Sequence, residues 1–143
     1  MSAVLRHAET AADLAACFPV MQVLRPHLPA ADEFVVRVMR QREAGYRLLA
    51  AWDAAEPIGL AGYRVQENLI RGRFCYVDDL VVRSDDRRGG LGARLLDGVA
   101  AEARALGLRW LVLDTAVDNL LGQRFYFRYG MLPAALRFAK GLD

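Results

Sequence analysis

Cysteine is scarce in this sequence, since only Cys17 and Cys75 occur among its 143 residues. They lie far apart and form no metal-ligand pattern, which excludes a disulfide framework and leads us to expect no metal. Such sparse cysteine favours a reducing compartment, so we expect the protein to be cytoplasmic.

An excess of one charge and long apolar runs are also missing. The 19 basic and 17 acidic residues give a net charge of +2, which disfavours nucleic acid as the main partner. No apolar run is long enough to span a bilayer, and the start of the chain has no signal-peptide pattern, so we expect no membrane association. The length is that of one domain, and residues 1–143 are predicted to form a single domain.

Hydrophobic periodicity and turn residues divide the chain into helices and strands. Thr10 with Asp13 predicts the capped start of the first helix, and Asp32 is predicted to cap the second. The predicted elements are strand Val4–His7, a helix from Thr10 that ends before Pro26, helix Glu33–Glu43, strands Tyr46–Trp52, Ile58–Val65 and Arg73–Val82, helix Leu91–Leu106, strand Arg109–Thr115, helix Asn119–Tyr129 and strand Leu136–Lys140.

This order predicts an α/β fold. The unit from Arg73 to Thr115 reads as two parallel strands joined by a right-handed helical crossover. The hairpins before it favour antiparallel pairing. We therefore expect a mixed, mostly antiparallel central sheet with a parallel strand–helix–strand core and helices on both faces.

A basic glycine-rich loop, Arg87–Ala93, lies between the longest predicted strand and the clearest predicted helix. Backbone N–H groups at a helix start, together with the helix dipole, attract anions. Glycines allow a phosphate to approach the backbone, and arginines add forked donors. The implied ligand is a pyrophosphate, and the alternative is a basic surface turn without a ligand.

The loop resembles the acetyl-CoA signature of the GNAT superfamily of N-acetyltransferases, Gln/Arg-x-x-Gly-x-Gly/Ala. The signature falls on Arg87, Gly90 and Gly92, and the preceding strand Tyr76–Val82 has the family's usual form. A third segment, similar to the family's Asn…Phe-Tyr…Gly-Phe pattern, is carried by Asn119, Phe125, Tyr126, Gly130 and Met131. Three motifs in the family's order, with its spacing, make the resemblance specific.

The resemblance implies the GNAT fold and transfer of an acetyl group from the co-substrate acetyl-CoA to an amine. Loop backbone groups would hold the pyrophosphate, the main chain of the strand would pair with the pantetheine arm, and a helix residue would contact the same arm. The implied cofactor-binding residues are Leu80, Val82, Arg87, Arg88, Gly89, Gly90, Gly92, Ala93 and Asn119.

Tyr126 is the candidate general acid. A phenol has a pKa near 10 and keeps its proton at neutral pH, as protonation of a leaving thiolate requires. The resemblance places the family's general-acid tyrosine at this position. The alternative is a core tyrosine beside Phe125 and Tyr129.

Asp78 and Asp79 are candidate catalytic acids in a strand rich in valine and tyrosine. As neighbours on a strand, their side chains are expected to face opposite sides of the sheet. The diamine acetyltransferase branch carries a similar acidic pair, and that likeness implies that Asp78 faces the acceptor as a base or as a clamp for a cation. The alternative is an ion pair of Asp78 with Arg64, Arg71 or Arg73.

The partner is expected to be a small-molecule amine or a protein amine, and a homodimer is possible in this family. The charge of Asp78 favours a small amine or diamine over an acidic amino acid. The resemblance assigns the choice of acceptor to the segment from Met21 to Arg42. Other hypotheses are a CoA-binding regulator of the same fold without transferase activity, another acyl group, and a nucleic-acid module supported by Arg87 and Arg88 alone.

Overall fold

The fold is described from a computed structural model, which covers residues 3–87 and 89–143. Its elements are β1 Val4–His7, α1 Ala11–Leu24, α2 Ala31–Arg42, β2 Arg47–Asp53, β3 Glu56–Asn68, β4 Gly72–Val82, a 3₁₀ turn Ser84–Asp86, α3 Leu91–Ala105, β5 Leu111–Leu113 and α4 Leu120–Tyr129.

The described residues form a sheet of five strands in the order β1-β2-β3-β4-β5. Strands β1 to β4 pair antiparallel with their neighbours in sequence. Helix α3 connects β4 to β5, which form the parallel pair. The predicted fold class is confirmed.

Both faces of this sheet are covered by helices. On one face, apolar side chains of the central strands, such as Leu60 and Val81, pack with residues of α1 and α2 in one buried core. On the other face, Leu91 and Leu95 of α3 lie against Gly59 so closely that a Cβ there would be 3.0–3.1 Å from them. Helices α2 and α3 are amphipathic, and each buries its apolar stripe in the core.

The helix starts were predicted with mixed success. Thr10 caps α1, and its hydroxyl accepts the Asp13 N–H at 3.0 Å, as predicted. The cap of α2 is Ala30, so the prediction of Asp32 was wrong. Because α2 begins at Ala31, Asp32 lies in its first turn, where a carboxylate interacts favourably with the helix dipole.

The predicted strand Leu136–Lys140 is absent from residues 131–143, all of which the structure describes. Leu136 and Phe138 are 76% and 88% exposed. An alternating apolar pattern forms a strand when it pairs with a sheet edge and buries one face, and neither occurs here.

Two compact units divide the chain, Met1–Val112 and Leu113–Asp143. The first contains the sheet up to Val112 with α1, α2 and α3, and the second contains α4. The single-domain assignment of residues 1–143 stays a prediction. Among residues 3–87 and 89–143, no helix is long and apolar enough to cross a membrane.

Candidate active site

A β-bulge interrupts β4 at the acidic pair. Gly62 of β3 lies opposite Asp79 and Tyr63 lies opposite Val77, so β4 has one residue more than β3 at this point, Asp78. A bulge of this kind changes the direction of a side chain and disturbs the regular alternation of faces. The position of Asp78 therefore does not follow from its place in the strand.

Asp79 is held from two sides. Its Oδ1 accepts a hydrogen bond from Arg25 Nε at 2.9 Å, and its Oδ2 accepts one from the Tyr46 hydroxyl at 2.8 Å. Arg25 also donates to the backbone carbonyl of Asp78 at 2.9 Å. These bonds join the segment after α1 to the bulge of β4.

Asp78 forms an ion pair with Arg64, whose Nε lies 3.0 Å from its Oδ1. Arg64 in turn donates to Gln41 of α2 at 2.5 Å and lies over the ring of Tyr46. Burial raises the pKa of the Asp78 carboxyl, although the hydrogen bond and charge of Arg64 act in the opposite direction. A carboxyl in this state is a stronger proton acceptor than an exposed one.

The prediction that the two acids face opposite sides of the sheet was wrong. Both carboxylates belong to one network around Tyr46, Asp79 directly and Asp78 through Arg64. The reason is the bulge, which removes the alternation on which the prediction relied. Of the three ion pairs considered for Asp78, the structure contains the one with Arg64.

A cavity of about 170 Å³ opens beside this network, between the end of α1, α2 and the sheet. Its apolar walls come from Met21, Leu28, Phe34 and Val38, and the ring of Tyr46 contributes a further wall. An apolar cavity of comparable volume can bind benzene, so this one can hold a small molecule, and its apolar walls are of the kind that ligand sites commonly have.

The polar lining of the cavity comes from Arg25, His27, Arg37, Gln41 and Asp79. Arg37 pairs with Glu33 one helical turn earlier, and both side chains are about 40% exposed. The segment from Met21 to Arg42, to which the family resemblance assigns the choice of acceptor, contributes most of the lining.

The glycine-rich loop leads into α3 as the sequence predicts. Gly90 is the N-cap of α3 and has a left-handed backbone with φ of 72°, which glycine adopts without strain. A Cβ at Gly90 would meet nothing within 4 Å. Among the described residues no side chain caps this helix start, which fits an anion as the partner of its N–H groups. Arg88 lies outside the described residues.

The edge of β4 near this loop extends beyond its neighbour. The Cys75 N–H donates to the Trp110 carbonyl, and β5 continues from Leu111 for three residues. Within the described part of the chain, β5 therefore ends before the level of Leu80 and Val82. The Val82 carbonyl accepts a long hydrogen bond of 3.3 Å from Arg87 Nε.

The second unit positions Asn119 and Tyr126 on α4. The Asn119 side chain caps this helix by accepting the Gly122 N–H at 3.1 Å, and it donates to Thr115 at 2.9 Å. A Cβ at Gly122 would lie 2.3 Å from the Asn119 amide, so an alanine there would have to displace the side chain that forms this cap. Burial raises the pKa of Tyr126, which keeps the phenol protonated at neutral pH.

The family model for the acetyltransferase (GNAT) family matches residues 7–131, most of the chain. The chain belongs to the GNAT family. It is 28% identical over 111 residues to YhdJ, an uncharacterized N-acetyltransferase of Bacillus subtilis (strain 168). The aligned region covers 76% of this chain and 77% of that protein. The protein is thus an N-acetyltransferase.

Solved structures share the GNAT fold. The aminoglycoside N-acetyltransferase AAC(6')-Iy in complex with CoA has a TM-score of 0.84 at 16% identity, over 99% of this chain and 97% of that chain. Glucosamine-6-phosphate N-acetyltransferase from Arabidopsis thaliana has a TM-score of 0.78 at 18% identity, over the full length of both chains. At these identities the similarity establishes the fold.

Sequence reasoning named Arg64 as a possible partner of Asp78, but it missed two residues of this GNAT site, Arg25 and Tyr46, which bind Asp79. Arg25 gives no signal, because it follows the last turn of a helix in an irregular segment. Tyr46 had one indirect signal: Gly62 stands in the buried, apolar part of β3, and a strand glycine often marks a close approach by another group. Among the described residues, no group of three or more potential ligands could hold a metal ion.

Proposed function

We propose that this GNAT acetyltransferase moves an acetyl group from acetyl-CoA to a primary amine by direct attack in a ternary complex. The observation that carries the proposal is the presence of three features within one unit, namely the glycine-capped start of α3, the β4 bulge with its carboxylates, and the cavity that Asp79 of the bulge lines. CoA bound to the similar aminoglycoside acetyltransferase supports the choice of donor.

The start of α3 would bind the pyrophosphate of the donor. Its N–H donors are those of Gly90, Gly92 and Ala93, with Gly89 beside them and the charge of Arg87 nearby; Arg88, whose position is not described, completes the motif. A phosphate oxygen can approach Gly90 because no Cβ stands there.

The main chain of Leu80 and Val82 would pair with the pantetheine arm, since β5 ends before their level. For this pairing Arg87 must release the Val82 carbonyl, and a bond of 3.3 Å is weak enough to be exchanged. Asn119 would contact the arm from the start of α4 while its side chain continues to cap that helix.

The acceptor would lie in the cavity with its amine toward the bulge. Asp78, with its raised pKa, takes a proton from the amine as the nitrogen attacks the thioester carbonyl. Backbone N–H groups at the interrupted part of the β4 ladder would stabilise the oxyanion. Asp79, fixed by Arg25 and Tyr46, would hold the attacking amine in place.

Collapse of the tetrahedral intermediate breaks the carbon–sulfur bond and leaves an amide. Tyr126 donates its phenolic proton to the departing sulfur, so the products are the acetylated amine and CoA with a free thiol. The raised pKa of Tyr126 ensures that this proton is present at neutral pH.

Release of the CoA thiol tests the proposal. The protein is mixed with acetyl-CoA and single primary amines, thiol is measured with a chromogenic reagent, and the amide is identified by mass spectrometry. Amine-dependent thiol release with a matching acetylated product is expected. Tight CoA binding without thiol release for any amine, peptide N-termini included, would instead indicate a CoA-binding regulator, and faster release from propionyl- or succinyl-CoA would indicate another acyl donor.

A further inference from the structure

The charges around the cavity beside the β4 bulge do not suit a second ammonium group. Each carboxylate of the acidic pair already has a cation of its own, since Asp79 is bound by Arg25 and Asp78 by Arg64. A diamine would need a further carboxylate in the cavity lining, and Asp79 is the acidic residue of that lining. The described lining therefore contains no unpaired carboxylate that could bind the second ammonium group of a diamine.

Arg37 instead favours an anionic group in the cavity. It lies on the α2 face that also presents Phe34 and Gln41 to the cavity, at the spacing of successive helical turns. Its partner Glu33 does not line the cavity, and the pair is an exposed one between positions four apart, which contributes little stability. A carboxylate inside the cavity could therefore replace Glu33 on the forked guanidinium at small cost.

The lining that Asp79 and Arg37 share with the rest of the cavity includes four apolar side chains, Met21, Leu28, Phe34 and Val38. A molecule that fills this space needs an apolar body to replace water favourably. Its reactive amine would lie at the Asp79 end and its other end at the guanidinium of Arg37.

We propose that the acceptor is a primary amine with an apolar body and a distal carboxylate, and that Arg37 binds this carboxylate. This proposal rests on the proposed function, because the proposed function places the acceptor in the cavity. It replaces the preference for diamines that the acidic pair suggested from the sequence, since both acids are now seen to be ion-paired.

Three acceptors of equal length test it: hexylamine, hexamethylenediamine and ε-aminocaproate, which differ only in a neutral, cationic or anionic far end. With acetyl-CoA saturating, kcat/KM for ε-aminocaproate should exceed that for the diamine by at least about tenfold, as expected for a charge-assisted hydrogen bond. Hexylamine should lie between the two.

Substitutions on α2 test whether Arg37 causes the preference for ε-aminocaproate over the diamine. Arg37→Gln should reduce the ratio of ε-aminocaproate to diamine to within about twofold, mainly through KM. Arg40→Gln removes the same charge from an exposed position of the same helix outside the cavity lining, and it should leave the ratio unchanged. Glu33→Gln removes the competing carboxylate and should lower the KM for ε-aminocaproate, an effect that a purely structural role of Arg37 does not produce.

Calorimetric titration of ε-aminocaproate in the presence of CoA separates this proposal from the proposed function. Binding that depends on Arg37, without acetyl transfer, would overturn the proposed reaction and keep the anion preference of the cavity. Transfer to the diamine at an equal or higher rate, or a ratio unchanged in Arg37→Gln, would overturn the carboxylate proposal and keep the reaction. Absence of both transfer and binding that depends on Arg37 would overturn both.

Discussion

The hydroxyl of Tyr46 donates a 2.8 Å hydrogen bond to Asp79 from a position where it nearly touches the backbone of Gly62. A Cβ at residue 62 would lie 1.8 Å from that hydroxyl oxygen, well inside van der Waals contact. Because Gly62 of β3 has no side chain, the fully buried phenol of Tyr46 can reach the carboxylate of Asp79 on β4. Burial and the charge of Asp79 raise the pKa of Tyr46 well above its usual value, so the bond keeps its proton throughout the physiological range.

Substitution of either residue should destabilise the fold. Tyr46→Phe removes a donor from a largely buried carboxylate, and the free energy of unfolding should fall by roughly 1.5–3 kcal/mol. Gly62→Ala forces the phenol to move and should cost roughly 1–3 kcal/mol. Urea denaturation followed by circular dichroism measures both changes.

The two effects should be coupled. In a Tyr46→Ala background the ring is gone, so Gly62→Ala should cost far less than in the parent. Gly141→Ala is a matched control, since its Cβ would meet nothing within 4 Å, and it should change stability by less than about 0.5 kcal/mol. Additive effects of the Tyr46 and Gly62 substitutions would contradict the contact.

Asp78→Asn should impair catalysis in a manner that depends on pH. The base acts in its deprotonated form, and its raised pKa places the acid limb of kcat/KM above the usual carboxyl range near 4. Loss of the base should lower kcat by roughly 10²–10⁴-fold and remove that limb, so that activity then rises with the fraction of free amine. Rates measured with a good acceptor from mildly acidic to alkaline pH provide the test.

Arg64→Gln provides a second test of Asp78 as the base. Since the hydrogen bond and charge of Arg64 lower the pKa of Asp78, their removal should raise that pKa and move the acid limb to higher pH. Affinity for acetyl-CoA should be unchanged in both variants. Superimposable pH profiles of the parent, Asp78→Asn and Arg64→Gln would rule out Asp78 as the base.

Tyr126→Phe should retain the packing against Phe125 and lose the proton for the leaving thiolate. Turnover should fall by roughly 10²–10⁴-fold, as is typical for a lost acid catalyst, with little change in acetyl-CoA affinity. Tyr129→Phe removes a phenol from the same helix and serves as the control. Single-turnover thiol release within about threefold of the parent would mean that thiolate departure does not require Tyr126.

Gly92→Glu should weaken acetyl-CoA binding. A carboxylate and its side chain would occupy the proposed pyrophosphate position at the start of α3, where repulsion and steric block act together. Calorimetry should show a loss of affinity of roughly 10²-fold or more. Ala101→Glu adds the same charge at an exposed position of α3 and should bind as the parent does. Equal affinities of the two variants would refute the loop as the donor site.

The sequence by itself determined the elements that carry local signals. The cap at Thr10, the glycine stop of α4 at Gly130 and the periodic apolar face of α3 all depend on residues close together in the chain, and all are present in the structure. The order of these elements sufficed for the fold class, because short connections and the right-handed crossover leave few topologies. Three motifs at fixed spacing were enough to indicate the family.

The tertiary structure decided the geometry around the acidic pair. Whether Asp78 and Asp79 share a face depends on a bulge set by the pairing of β3 with β4, and no local pattern in β4 reports that register. Arg25 lies 54 residues from Asp79 in the sequence, and Arg64 lies 14 residues from Asp78. Charge complementarity of this kind arises only when distant segments are brought together, and this is why the sequence suggested a diamine although both acids are ion-paired in the structure.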